Sequence, residues 1–251
     1  MIQKPLSRRK LLAYSLAFAV PAAAQDARPP KGLLKKVAAA GSLFERERSR
    51  YTYRQSFRFF ELDRFGTPGG DYLEVRDVTF TPEGERTEEF IRKPVNRLKR
   101  IILTDEDFED LRDMQPFVLT EDTLWLYEAK YRGSEILDGR DCYVYRIRPR
   151  QILEGQRFLD GQVWVDKEVL QVVQASGQPV PQHYATEGGN LFPRFTTIYQ
   201  PIDGEFWFPV KTLAQDTLPF SSGLQRVKYE IDYADYKRFS ADSSISFETP
   251  E

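Results

Sequence analysis

The chain carries one cysteine and one histidine in 251 residues, and those two scarcities exclude whole classes of chemistry. Cys142 has no second cysteine to pair with, so no internal disulfide can form and stability must come from a packed core. One thiol and one imidazole also fall short of any zinc site built from several cysteines or histidines. His183 lies between Pro181 and Tyr184 without a serine or cysteine motif to activate, and reads as a surface residue rather than a base. Cys142, inside "CYVYRI", reads as a small buried or half-buried hydrophobe. No G-x-G-x-x-G opens a helix and no phosphate-binding loop occurs, so neither a cofactor nor a metal is expected.

What is present begins with "MIQKPLSRRKLLAYSLAFAVPAAAQ", where Lys4, Arg8, Arg9 and Lys10 precede an apolar run from Leu11 to Ala24. Fourteen residues are short for a bilayer span, and Ala22-Ala23-Ala24 supply the small residues of a cleavage site. Residues 1–24 therefore read as an export signal cleaved after Ala24, with a periplasmic product. Ser7-Arg8-Arg9-Lys10-Leu11-Leu12 resembles a twin-arginine signal, and an ordinary secretory signal fits as well, so both export routes stay open. No cysteine follows the apolar run to carry a lipid. Cleavage removes four basic and no acidic side chains, taking the formal charge from −2 to −6, a balance that does not favour nucleic acid. No later apolar run approaches the length of a span, so a soluble product is expected.

The remaining 227 residues suit one large β domain. After a polar leader, 25–32, the expectation is a single domain over 33–251, which the resemblance described below makes a half-barrel. Leu33, Val37, Ala40 and Phe44 recur at helical spacing, widened by Leu34 and Ala38, and predict an amphipathic helix over 33–49. From Tyr51 the period is two: Tyr53, Phe57 and Phe59 share one face and Arg54, Ser56 and Arg58 the other. Further strands over 71–81 and 86–93 would complete a meander. "LTDEDFEDLRDMQP" interrupts it with a helix over 104–115, N-capped by Thr104, with Phe108, Leu111 and Met114 as its stripe and Pro116 as its stop.

Strands are predicted at 123–132, 140–149, 157–166, 169–176, 194–200, 206–213 and 224–236. In the last, Val227, Tyr229, Ile231 and Tyr233 alternate with Arg226, Lys228, Glu230 and Asp232, giving one buried and one wet face. "DGQVWVDKEVLQVVQAS", 160–176, reads as a hairpin reversing at Asp166-Lys167-Glu168, with a second run from Val169 to Val173. "SGQPVPQHYATEGGNLFP", 176–193, is too rich in glycine and proline to be regular and reads as a long loop. With 18 Phe and 13 Tyr favouring strands, the fold class is mainly β (α+β). About ten strands form a strongly curved antiparallel sheet with short amphipathic helices across its concave side.

Catalytic machinery is hard to assemble from these residues. Asp160, Asp166, Asp203 and Glu205 could be imagined as a glycosidase-like pair, but they fall where turns are predicted and read as solvated. "TDEDFED" lacks the glycine and ligand spacing of a calcium loop. Trp125, Trp164 and Trp207 are placed in strands with apolar neighbours of opposite orientation, which a plain core and a lipid pocket explain equally.

The order of phrases carries a resemblance. A leading amphipathic helix, a meander, a capped helix, and then "GSEILDGRDCYVYRIRP", "QVWVDKEVLQVVQ" and "TTIYQPIDGEFWFPVKT" together resemble the outer-membrane lipoprotein carrier and sorting family (LolA-like), over roughly 50–236. The resemblance implies an unclosed β-barrel with a helical lid over an apolar cavity. Its function would be to carry lipid, or the acyl chains of a lipid-modified protein, between membrane-bound donor and acceptor proteins, without catalysis. Alternation then selects Tyr53, Phe57, Phe59, Val163, Val165, Phe206, Phe208, Val227, Tyr229 and Ile231 as cavity lining, and Leu33, Val37, Phe44, Phe108 and Leu111 as lid. A lid that opens calls for loosely packed helices, which the alanine-rich "KKVAAAG" would suit. Two other readings stand beside it: an exported β-sheet interaction module with a filled core, and a hydrolase using loop carboxylates.

Overall fold

The computed structural model describes residues 28–81, 84–113, 116–154, 156–181, 193–220 and 223–238. The export signal, the start of the leader, Met114, and His183 with most of the 176–193 loop lie outside the described residues. The chain runs α1 (Leu33–Arg48), β1 (Tyr51–Leu62), β2 (Pro68–Phe80), β3 (Arg86–Phe90), β4 (Val95–Asn96), α2 (Asp105–Asp113) and α3 (Glu121–Leu124). It continues with β5 (Tyr127–Leu137), β6 (Arg140–Pro149), β7 (Phe158–Asp166), β8 (Val172–Val180), β9 (Phe195–Ile202), β10 (Phe206–Phe220) and β11 (Gly223–Arg238).

All described strands join one antiparallel sheet in the order β3-β2-β1-β11-β10-β9-β8-β7-β6-β5, with β4 on β2. Its two ends do not pair, so the sheet is not closed into a barrel. Tyr72 near one end and Tyr127 on the other nevertheless share one core with Leu33 and Val37 of α1 and Leu111 of α2, so the sheet curls around its helices. The alternation of β11 is as the sequence predicts, with Val227, Tyr229, Ile231 and Tyr233 buried. On the outer face Arg54 pairs with Asp77 at 3.0 Å and Arg58 with Asp232 at 2.7 Å, cross-strand pairs that keep charges off the inside.

Because β3 with β4 and β5 lie at opposite ends, the chain between them must cross the sheet. Glu61 fixes where that crossing starts. Its carboxylate is only 2% exposed and accepts backbone N–H groups from Lys99 at 3.1 Å, Arg100 at 2.7 Å and Ile101 at 2.7 Å. Gly70 leaves room for this knot, since a Cβ there would lie 2.7 Å from Glu61 Oε2 and 2.8 Å from the Arg97 carbonyl. Thr104 then caps α2 as its sequence suggests, exchanging hydrogen bonds with Asp107.

Several expectations are corrected. The strand predicted from 123 begins at Tyr127, because Thr120 and Thr123 form a reciprocal capping box that starts α3 instead. Trp125 consequently sits in the turn after α3, 63% exposed, rather than in a strand. The second arm of the 160–176 hairpin starts at Val172, since Leu170 adopts a positive φ of 55° and Val169 is turned outward in the reversal.

That arm also runs on to Val180, into the segment read as irregular. Gly177 faces Gly161 so closely that a Cβ on Gly161 would lie 2.1 Å from the Ser176 carbonyl. Pro179 falls beyond the last β8–β9 pair, Gly177↔Phe195, where its missing N–H costs nothing on that side. Asp160 lies within β7 and pairs with Arg146. Asp166 is buried: its Oδ1 accepts the Glu168 and Val169 N–H groups at 2.7 and 3.1 Å, and its Oδ2 accepts from Arg140 at 3.0 Å. Asp203 and Glu205 are exposed in the β9–β10 turn, as expected.

Two outcomes follow. Glu61→Ala, which strands three N–H groups, is expected to cost on the order of 3 kcal/mol in urea-induced unfolding; a change under about 0.5 kcal/mol would show that the crossing is held otherwise. Burial alone would raise the Asp166 carboxyl, but the Val169 and Glu168 amides and the Arg140 guanidinium outweigh it and hold the group below its ordinary value. A carboxyl so depressed contributes stability that is complete above the ordinary carboxylate range and lost as pH falls through the folded value. Asp166→Asn is therefore expected to flatten the loss of stability below about pH 4, measured as midpoint against pH; an unchanged slope would contradict this.

Candidate functional site

A β-bulge decides what faces a cavity at one end of the sheet. Tyr233 and Tyr236 are three positions apart, so plain alternation puts them on opposite faces. At Asp235 the backbone turns to φ 56°, and the β1–β11 register shifts between Thr52 and Arg54. The extra residue returns Tyr236 to the inside, where its ring stacks on Tyr53 at 5.1 Å and its hydroxyl donates to the Pro209 carbonyl at 2.7 Å. A second register shift on β10, between Pro209 and Lys211, sits beside it.

The cavity encloses about 650 Å³. Its aromatic wall comes from Phe44 at the end of α1, Tyr53, Phe208 and Tyr236. Phe208 is the hub, 4.9 Å from Phe44, 4.6 Å from Tyr51 and 4.7 Å from Tyr236 between ring centres. Phe117 and Tyr127 close it from the crossing segment and from β5. Burial pushes the phenols of Tyr53, Tyr127 and Tyr236 up, so all three stay neutral.

The lining also carries charge: Arg86 and Glu88 on β3, Arg112, Arg157, and the exposed Glu45 and Arg48 of α1. Burial alone would raise the Glu88 carboxyl, but Arg86 and Arg76 hold it below its usual value. Arg157 donates to buried Asp110. Among the described residues no cluster of three or more metal-ligating side chains occurs. Cys142 is fully buried on the other side of the sheet with Val144, Trp164 and Val173, and burial pushes its thiol up to about 11.

Of the residues selected by alternation, Tyr53 and Phe208 line this cavity, joined by Phe44 from the lid set. Phe206 belongs to the adjoining aromatic cluster without reaching the cavity wall. Phe57, Phe59, Val163, Val165, Val227, Tyr229 and Ile231 are buried in one hydrophobic core with side chains of the helices. Leu33, Val37 and Leu111 are in that core too, and Phe108 packs on its edge, 5.7 Å from Tyr72. The arginines, Tyr236, Phe117 and Tyr127 were missed. For Tyr236 the signal was present in "DYADYKR", where the spacing of three between tyrosines marks a bulge.

Nor is α1 loosely seated. A Cβ on Gly41 would lie 2.2 Å from the Leu119 carbonyl, so the helix and the crossing segment touch backbone to backbone. Next to it Ser42 Oγ accepts the Glu121 N–H at 3.0 Å, tying α1 to the first turn of α3.

The chain matches no protein-family model and no curated protein. Similar solved structures include a DUF1329 family protein from Desulfovibrio piger, at 15% identity, covering 85% of this chain and 95% of that one, with a TM-score of 0.37. A putative outer membrane lipoprotein-sorting protein domain from Vibrio parahaemolyticus is 12% identical over 83% and 94% of the two chains, TM-score 0.37. LolA superfamily protein NE2245 from Nitrosomonas europaea is 16% identical over 84% and 98%, TM-score 0.35. LolA-superfamily and lipoprotein-sorting proteins are thus among the structures this chain is similar to. At such scores the ligand and activity have to be read from the cavity itself.

The close contact at Gly41 yields a direct expectation. Gly41→Leu should force α1 away from Leu119 and lower stability by about 1–3 kcal/mol, read as a drop in thermal midpoint; an unshifted midpoint would mean that α1 is free to move.

Proposed function

We propose that this protein is an exported, non-catalytic carrier or sensor that holds a single-chain amphiphile in the cavity beneath the last turns of α1. The observation that carries the reading is the cavity itself: about 650 Å³, within the range of ligand sites and walled mainly by aromatic rings on its apolar side. At the roughly 30 Å³ occupied by a water in the liquid, that space takes about twenty non-hydrogen atoms. One acyl chain with a small head fits, whereas the three chains of a lipid-modified protein would need several times the room. Burying ten to twelve methylenes at roughly 0.8 kcal/mol each is worth on the order of 8–10 kcal/mol before ordering costs. No covalent chemistry is needed to retain such a ligand. The N-terminal sequence supports a periplasmic location, and a membrane-bound donor or acceptor is the expected partner.

The second reading, an interaction module, draws support from the filled core around Phe57, Val163 and Tyr229. Native mass spectrometry of the protein purified from its own periplasm, followed by organic extraction, separates the two. The carrier reading expects a stoichiometric adduct of one lipid class. It also expects Val118→Trp, which fills the cavity from its wall, to lose the adduct while its thermal midpoint stays within a few degrees. A clean apo mass that added lipid does not shift would favour the interaction module.

A further inference from the structure

The polar half of the cavity wall is unbalanced in a particular way. Four arginines, Arg48, Arg86, Arg112 and Arg157, face it with two glutamates, Glu45 and Glu88. Glu88 is divided between Arg86 and Arg76. Arg86 spends one Nη on Gln55 Oε1 at 3.0 Å. Its Nε lies 2.7 Å from Glu88 Oε1, out of line with the N–H bond, and has no hydrogen-bond acceptor. Arg157 gives one Nη to Asp110, and its buried Nε likewise has no acceptor.

A guanidinium presents five donors in a fixed plane and matches a carboxylate or phosphate two bonds at a time. Buried donors left without an acceptor are costly and rare in folded proteins. Here two belong to arginines whose side chains line one cavity.

We infer that the cavity selects its amphiphile by an anionic head, a carboxylate or a phosphate monoester, received by the guanidinium groups of Arg86 and Arg157. This rests on the carrier reading above and adds the ligand class to it. The tail lies on the rings of Phe44, Tyr53, Phe117 and Phe208. A neutral head brings no charge to the arginine side of the wall, and a cationic head meets the arginines directly.

Calorimetric titration of the full-length mature protein, below the micellar concentration of each probe, decides this with four ligands of equal tail: dodecanoate, dodecyl phosphate, dodecanol and dodecyltrimethylammonium. At least one of the two anions is expected to bind tenfold or more tighter than dodecanol, with the ammonium weakest; which anion wins identifies the head. In Arg86→Gln and Arg157→Gln the ratio of anion to alcohol affinity should fall toward one. Arg86→Lys, which keeps the charge and loses the fork, should fall between. Equal binding of anion, alcohol and ammonium by the unmodified protein would overturn head selection and leave the carrier reading standing. An unchanged ratio in both glutamine variants, with thermal midpoints showing them folded, would overturn the assignment to these two residues. No binding of any probe would overturn the carrier reading itself.

Discussion

A chain that leaves one edge of an open sheet and re-enters at the other has to pass over a face of that sheet, and the Glu61 carboxylate holds that passage in register. By taking three consecutive N–H groups at the end of β1, it converts a free connection into a strap with a fixed origin. From there α2, the 116–120 segment and α3 lie where the curl of the sheet can cover their apolar sides. The far end of the strap is held independently: Tyr199 on β9 donates its hydroxyl to the Phe117 carbonyl at 2.7 Å, and Gly41 of α1 rests on Leu119. The cavity exists because the strap, α1 and the bulged ends of β1, β10 and β11 meet without filling the space among them.

The bulges mark the end of the interior where the cavity of about 650 Å³ opens. Regular alternation packs Phe57 against Phe59 and Tyr229 at ring distances of about 6 Å. Where the alternation is broken at Asp235, three tyrosines and Phe208 crowd toward one another as flat plates, and flat plates make walls more readily than they fill volume. Polar side chains from β3 complete the enclosure because that strand is short and its inner face carries Arg86 and Glu88 rather than hydrophobes.

Much of this was legible in the residues. The two-residue period of β1 and β11, the helical stripe of α1 and the cap at Thr104 are local patterns, and each places its element to within a few positions. Phe44, Tyr53 and Phe208 were recognisable as inward-facing by the same rule. The rest depends on relations between distant segments. Phe57 and Val163 face inward as alternation says, yet whether an inward residue meets a cavity or another side chain is set by the strap, which no period encodes. Arg86 and Arg157 are 71 positions apart in sequence and line one cavity only because the sheet curls. Thr120 and Thr123 did carry a capping signal, but it was overshadowed by the apolar run that follows. Pro179 and Gly177 looked like breakers because their neighbours across the sheet could not be known.

An unclosed sheet also has a solution behaviour of its own. Each free edge offers a row of amides and carbonyls on which another copy could add strands, the first step of disordered self-association. Here one edge strand, β3, is five residues long and bears Arg86, Glu88 and Glu89. The other, β5, carries Glu128, Lys130 and Arg132 in succession along its outer face and is broken by a register shift at Gly133, φ 130°. The same openness that leaves room for a strap and a cavity would invite polymerisation, and charged, interrupted edges are features that oppose it.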